Sequence, residues 1–156
     1  MIQSKAKELV VGTHGRSLYK TNIAHLQKMT NTVLNKKTHI FPIKSIRKSS
    51  NWGRSWSMWR DAYEPKTNIP LYLNSKRKII VDIYKDKTKI NSIKVDASKG
   101  FNNAEFDLSF SEKGKKSFEK AYPKMKLRKA QNGKYYLSKG KYTVNIDGEK
   151  KVLEIK

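Results

Sequence analysis

Three histidines, a scatter of aspartates and one group of tryptophans set among arginines are the side chains of this sequence with chemistry to offer. His14, His25 and His39 are metal-ligand types, but structural zinc ligands come in closely spaced pairs and these three lie far apart along the chain, so no metal is expected. Asp82, Asp86, Asp96, Asp107 and Asp147 would serve a glycosidase only if two of them faced each other about 5 to 10 Å apart across a cleft, and nothing in their spacing sets up that opposition. No catalytic residue and no cofactor-binding residue is assigned. Trp52, Trp56 and Trp59 follow one another at spacings of four and three, with Arg54 and Arg60 beside them. Such spacing makes one face if the segment is helical. Two readings of that group stay open. Aromatic faces next to arginine can stack on sugars or bases, whereas large apolar rings can lock a connector onto a neighbouring domain. Exposed tryptophans would favour the first.

Composition narrows the classes. The chain has 156 residues, 37 % of them apolar, with eight Tyr and five Phe beside the three Trp, which argues for a folded body of one ordinary domain plus an appendage. Absence of Cys excludes disulfides, thiolate metal sites and Cys nucleophiles. The formal charge of +22 points toward polyanions. Only Arg16, Arg47, Arg54, Arg60, Arg77 and Arg128 are arginines, however, and the lysines are dispersed. Readers of base edges use arginine forks, so no sequence-specific nucleic acid is expected. Abundant Asn and Ile fit a coding bias toward A and T, and bias with solubility stands beside a selected polyanion or membrane surface as the source of the charge. No apolar stretch approaches the roughly 20 residues of a bilayer span, and the first residues lack the apolar core of a secretory signal, so the localisation of this chain is left open.

The elements that must carry these residues are short strands. Leu9-Val10-Val11 is a β-branched run, Gly12 and Gly15 bracket a turn, and Ser17-Leu18-Tyr19 returns. Two strands alone cannot bury their faces. Thr21 or Asn22 then offers a cap for a short helix carrying Ile23, Leu26 and Met29. Residues 30–66, with a strand-like run from Thr38 to Ile43, read as a tryptophan-bearing connector. From about residue 67 short strands recur with turn signals between them, the pattern of an antiparallel sandwich or barrel. Ile79, Val81 and Ile83 share one face, Phe106, Leu108 and Phe110 another, and Phe118, Ala121 and Tyr122 form a helical edge ended by Pro123. Tyr142, Val144 and Ile146 lead into Asp147-Gly148, the signal for a type I′ hairpin turn. This span, 67–156, is expected to fold without the rest.

Two patches together resemble a known architecture. Gly100-Phe101-Asn102-Asn103-Ala104-Glu105-Phe106-Asp107 and, later, Gly140-Lys141-Tyr142 look like the signatures of the immunoglobulin-like domain related to the flagellar hook-capping protein. Upstream, Leu9 to Tyr19, with Gly12, His14, Gly15 and Arg16, resembles the closing strands of sortilin-like or sialidase-like β-propellers, the BNR-repeat glycosyl hydrolases of bacteria. The resemblance implies an all-β chain in three parts: a remnant hairpin of a propeller blade in residues 1–29, the connector in 30–66, and an immunoglobulin-like antiparallel β-sandwich in 67–156. It further implies a C-terminal fragment, a missing propeller as partner, a parent of the cell envelope or secreted, and a structural, non-catalytic role, since the Ser-x-Asp-x-Gly-x-Thr-Trp repeat of such propellers is absent here. A binding module for glycans or polyanions, using the lysine surface and Trp52, Trp56 and Trp59, is the alternative.

Overall fold

The computed structural model of the chain describes residues 2, 3, 5, 7–15 and 17–156. It is all-β in class, with antiparallel sheets and few helical residues, and it divides into two units, 1–36 and 37–156.

In the first unit β1 (Ile2–Gln3), β2 (Glu8–Gly12) and β3 (Leu18–Asn22) form one antiparallel sheet, with Val11 opposite Tyr19 and Gly12 opposite Leu18. The turn between β2 and β3 is closed by Thr13 N donating to Ser17 O at 3.0 Å. Val11, Leu18 and Tyr19 remain exposed. The expected helix after β3 is reduced to a single 3₁₀ turn, Leu26–Lys28. The reason is local: Asn22 Oδ1 accepts from Ala24 N two residues on, an Asx turn in place of a helix cap. Helix α1 (Asn31–Leu34) follows instead, with Thr30 Oγ1 accepting from Val33 N.

The second unit has two sheets. One runs β10-β9-β6-β7, from β6 (Arg77–Lys85), β7 (Thr88–Ala97), β9 (Gly140–Ile146) and β10 (Glu149–Ile155); the other runs β4-β5-β8, from β4 (Thr38–Ile40), β5 (Thr67–Leu73) and β8 (Gly100–Phe106). Alternation does its work: Ile79, Val81 and Ile83 on β6, Tyr142, Val144 and Ile146 on β9, and Ala104 and Phe106 on β8 are buried, and side chains of both sheets join one apolar core. Asp147 and Gly148 take φ of 51° and 90°, the positive pair a type I′ turn demands. That turn is also a tie. Asp147 Oδ2 accepts from Arg77 Nη2 at 2.7 Å and from Thr38 Oγ1 at 2.8 Å, which joins the tip of the β9–β10 hairpin to the starts of β6 and β4. Next to it, Glu149 Oε1 accepts from Ile40 N and lies 2.9 Å from His39 Nδ1.

Ile40 and Trp52, from the span 38–66, join this core, and Ile43 and Ile46 pack against it. β4 pairs with β5, Ile40 and Phe41 are fully buried, and Trp52 is nearly so. A chain starting at residue 37 is therefore expected to unfold cooperatively, and one starting at 67 to melt at least about 10 °C lower, because losing several large core side chains costs a few kcal/mol each. Thermal unfolding of the two shortened chains decides the point; equal melting temperatures would place the domain boundary at 67.

Candidate functional site

Segments remote in sequence build a cleft on the second unit. Residues 46–48 run beside β10, where Ile46 N donates to Glu154 O at 2.9 Å and Lys48 N to Lys156 O at 2.7 Å. This pairing sets Lys48 against two buried rings. Its Nζ lies 4.1 Å from the centre of the Trp52 ring and 5.9 Å from that of Tyr136, and it donates to Leu137 O at 2.8 Å. The rings meet edge to face, 6.0 Å between centres.

The loop that carries Trp52 is knotted to residues 130–136. Gly53 N donates to Tyr63 O, Asn132 N donates to Gly53 O, Ser55 N donates to Gln131 Oε1, and Asn132 Nδ2 donates to the Tyr136 hydroxyl at 2.8 Å. The resulting cleft encloses about 820 Å³ and is lined by Lys48, Arg54, Lys126, Arg128 and Lys129 around Trp52 and Tyr136. No carboxylate among the described residues lines it. Glu64 and Asp107 are engaged by Lys134, at 2.9 and 3.2 Å. An uncompensated group of cations over an aromatic floor is chemistry for anions.

Burial lowers the Lys48 ammonium from its ordinary 10.5 to about 8. Below that value it is charged, above it neutral, so anion binding in the cleft is expected to weaken between pH 7 and pH 9, and Lys48→Met to remove that slope. Titrations at the two pH values with each protein test this; an unchanged slope in the variant would exclude Lys48 as its source. The same shift affects folding in a defined direction. Between about 8 and 10.5 the unfolded chain holds a proton that the folded chain has released, so the contribution of Lys48 to stability rises with pH through that window and is least favourable below it.

The other residues singled out from the sequence are placed as follows. The three tryptophans do not share a helical face, because residues 51–60 form a succession of turns. Trp52 is buried, Trp56 and Trp59 stand in solvent, Arg54 lines the cleft, and Arg60 is exposed. Gly12 ends β2, and His14 and Gly15 occupy the exposed turn after it, whereas Arg16 lies outside the described residues. Gly100 and Gly140 have φ of 101° and 141°, a region closed to most side chains. Asn102 clamps its own turn, its Nδ2 donating to Ser98 O and Gly100 O and its Oδ1 accepting from Ser98 N. Asp107 Oδ1 accepts from Ser109 N and Oγ. Tyr142 is buried, its hydroxyl donating to Ser138 O at 2.9 Å, and burial pushes it up to about 12. Among the described residues, no group of three His, Cys, Asp or Glu side chains could hold a metal ion, and no helix is long and apolar enough to cross a membrane.

Lys48, Lys126, Lys129 and Tyr136 are cleft residues that sequence reasoning does not reach. The run Lys124-Met125-Lys126-Leu127-Arg128-Lys129 is legible as a basic stretch; its pairing with residues 48–54, about 75 positions away, is a tertiary fact. Comparison of the chain with protein-family models, with curated proteins and with solved structures finds no match.

Proposed function

We propose that this chain is a non-catalytic binding module, the C-terminal accessory part of a larger β-propeller protein of the cell envelope or a secreted one, and that its cleft holds anionic groups of a glycan or another polyanion. The observation that carries the binding role is the cleft itself, where five cations surround two rings with no carboxylate among the described lining residues. Two antiparallel sheets over one core fit an immunoglobulin-like sandwich. So does Tyr142, whose hydroxyl reaches the carbonyl four residues upstream as in the tyrosine corner of such domains. The exposed Val11, Leu18 and Tyr19 on the β2–β3 hairpin suit strands that a blade neighbour would cover. A non-enzymatic role agrees with the aspartates, since Asp82 is held by Lys89 and Ser92, Asp107 by Ser109 and Lys134, and Asp147 by Arg77 and Thr38.

Titration with heparin fragments, inorganic polyphosphate and unrelated DNA duplexes at two salt concentrations tests the reading. Binding is expected to ignore base sequence and to fall steeply with salt. The triple variant Lys126→Glu, Arg128→Glu, Lys129→Glu is expected to bind at least about tenfold more weakly, each lost phosphate-type contact counting separately. Equal affinity in the variant would sink the cleft as the site, and turnover of aryl glycosides by the purified chain would overturn the non-catalytic assignment.

A further inference from the structure

We infer that the loop at residues 54–60 is a membrane-docking element, which seats Trp56, Met58 and Trp59 in the interfacial layer of an anionic bilayer. The three side chains are 85 %, 96 % and 91 % exposed, the highest exposures among the large apolar side chains described, whereas Trp52 is buried. Tryptophan favours the boundary between headgroups and acyl chains, because its ring is apolar and its N–H finds a polar partner there. Between Ser49 and Arg60 the sequence contains no acidic residue, and Arg54 and Arg60 flank the apolar triad. Arg54 also lines the cleft that Lys126, Arg128 and Lys129 share. Cations beside exposed apolar side chains supply the two signals that stable interfacial binding needs, insertion and attraction to anionic headgroups.

Part of the loop's backbone is satisfied within the loop or at its base. The Ser55 hydroxyl lies against the carbonyls of Ser57 and Arg60, Trp59 N donates to Ser57 Oγ at 3.2 Å, and Arg60 N donates to Ser57 O at 3.2 Å. Tyr63 N donates to Arg54 O at 2.8 Å and closes the base. Polar groups satisfied within the loop need not be stripped of water when it enters the interface. Charge and apolar exposure together select the occupant: a neutral sugar has no need of the flanking arginines and a soluble polyanion no need of an exposed Met58, whereas an anionic bilayer uses both.

Membrane docking by this loop does not depend on anion binding in the cleft, and the experiment separates them. The full chain is mixed with phosphatidylcholine vesicles, with and without about 30 % phosphatidylglycerol, and partition is followed by sedimentation and by tryptophan emission. Binding to the anionic vesicles with a blue shift is expected, since Trp56 and Trp59 leave water. The variant Trp56→Ala, Met58→Ala, Trp59→Ala is expected to lose at least about tenfold in partition while binding heparin as before. All three positions are exposed, so the fold is retained, which circular dichroism checks. Absence of partition, or partition equal in the loop variant, would overturn the inference. Dimerisation that the loop variant abolishes, without a blue shift on vesicles, would assign the patch to a second copy, and quenching by neutral oligosaccharides alone would assign it to a glycan; either result overturns membrane docking.

Discussion

Gly114→Ala is expected to be among the most damaging single substitutions in the chain. Helix α2 (Glu112–Ala121) lies across β7, and its first turn is anchored there: Ser111 N donates to Ile90 O at 3.1 Å, and Ser111 Oγ accepts from Gly114 N at 3.0 Å. A methyl group at Gly114 would stand 1.8 Å from Ile90 O and 2.3 Å from its carbonyl carbon. That oxygen belongs to a strand and cannot swing aside as a side-chain end would. Either the helix lifts, exposing Phe118 and breaking its edge-to-face contact with Phe110, or β7 is displaced. Overpacking of this kind costs about 3 kcal/mol or more, which lowers the melting temperature by about 10 °C. Ser111→Ala, which removes the cap and the bond its hydroxyl donates to Ile90 O at 3.2 Å, should cost about 1 to 2 kcal/mol. Thermal unfolding of both variants gives the ratio, and a Gly114→Ala protein that melts with the wild type would show that α2 does not approach β7 this closely.

Gly53→Ala is expected to damage stability and the cleft together. The residue sits at φ 71°, where a side chain is strained, and its added carbon would fall 2.5 Å from Ala130 Cβ, 2.7 Å from Asn132 Oδ1 and 2.7 Å from Tyr136 Cε2. Ala130 and Tyr136 line the cleft. The same residue exchanges backbone hydrogen bonds with Tyr63 and Asn132, so moving it unties the Trp52 loop from the basic segment. A loss of about 2 to 4 kcal/mol is expected, with a weakened near-ultraviolet signal from the Trp52–Tyr136 pair and weaker heparin binding. Intact heparin affinity in a destabilised variant would separate the loop from the site.

Much of the fold is legible in the chain because it rests on local patterns. Alternation in residues 79–83 and 142–146 places side chains on opposite faces whatever the rest of the molecule does, and Asp147-Gly148 can take the two positive φ values that few other pairs accept. The glycines at 100 and 140 mark positive-φ entries to strands for the same reason. The tryptophan group is different. Its spacing is compatible with one helical face, yet Ser55 and Ser57 hydroxyls capture the backbone and make turns, the usual way such residues compete with a helix. One ring is left inside and two outside.

By itself the sequence determined what is decided within a few residues: the alternating strands around 79–83 and 142–146, the Asp147-Gly148 turn, the absence of thiol chemistry, the surplus of positive charge. β8 ends at Phe106, and the alternation that continues through Leu108 and Phe110 is not a strand, because Leu108 takes a positive φ of 56°. Only the tertiary structure decided which charges count. Whether a lysine is one more solvated cation or part of a site depends on what long-range packing puts beside it. Lys48 becomes singular because residues 46–48 lie along β10 and burial of its ammonium over Trp52 and Tyr136 costs solvation. Residues 126–131 face it only because the knot at Gly53 and Asn132 closes. Contacts between positions so distant are set by the sum of many weak packing terms, and no short stretch of sequence contains that sum.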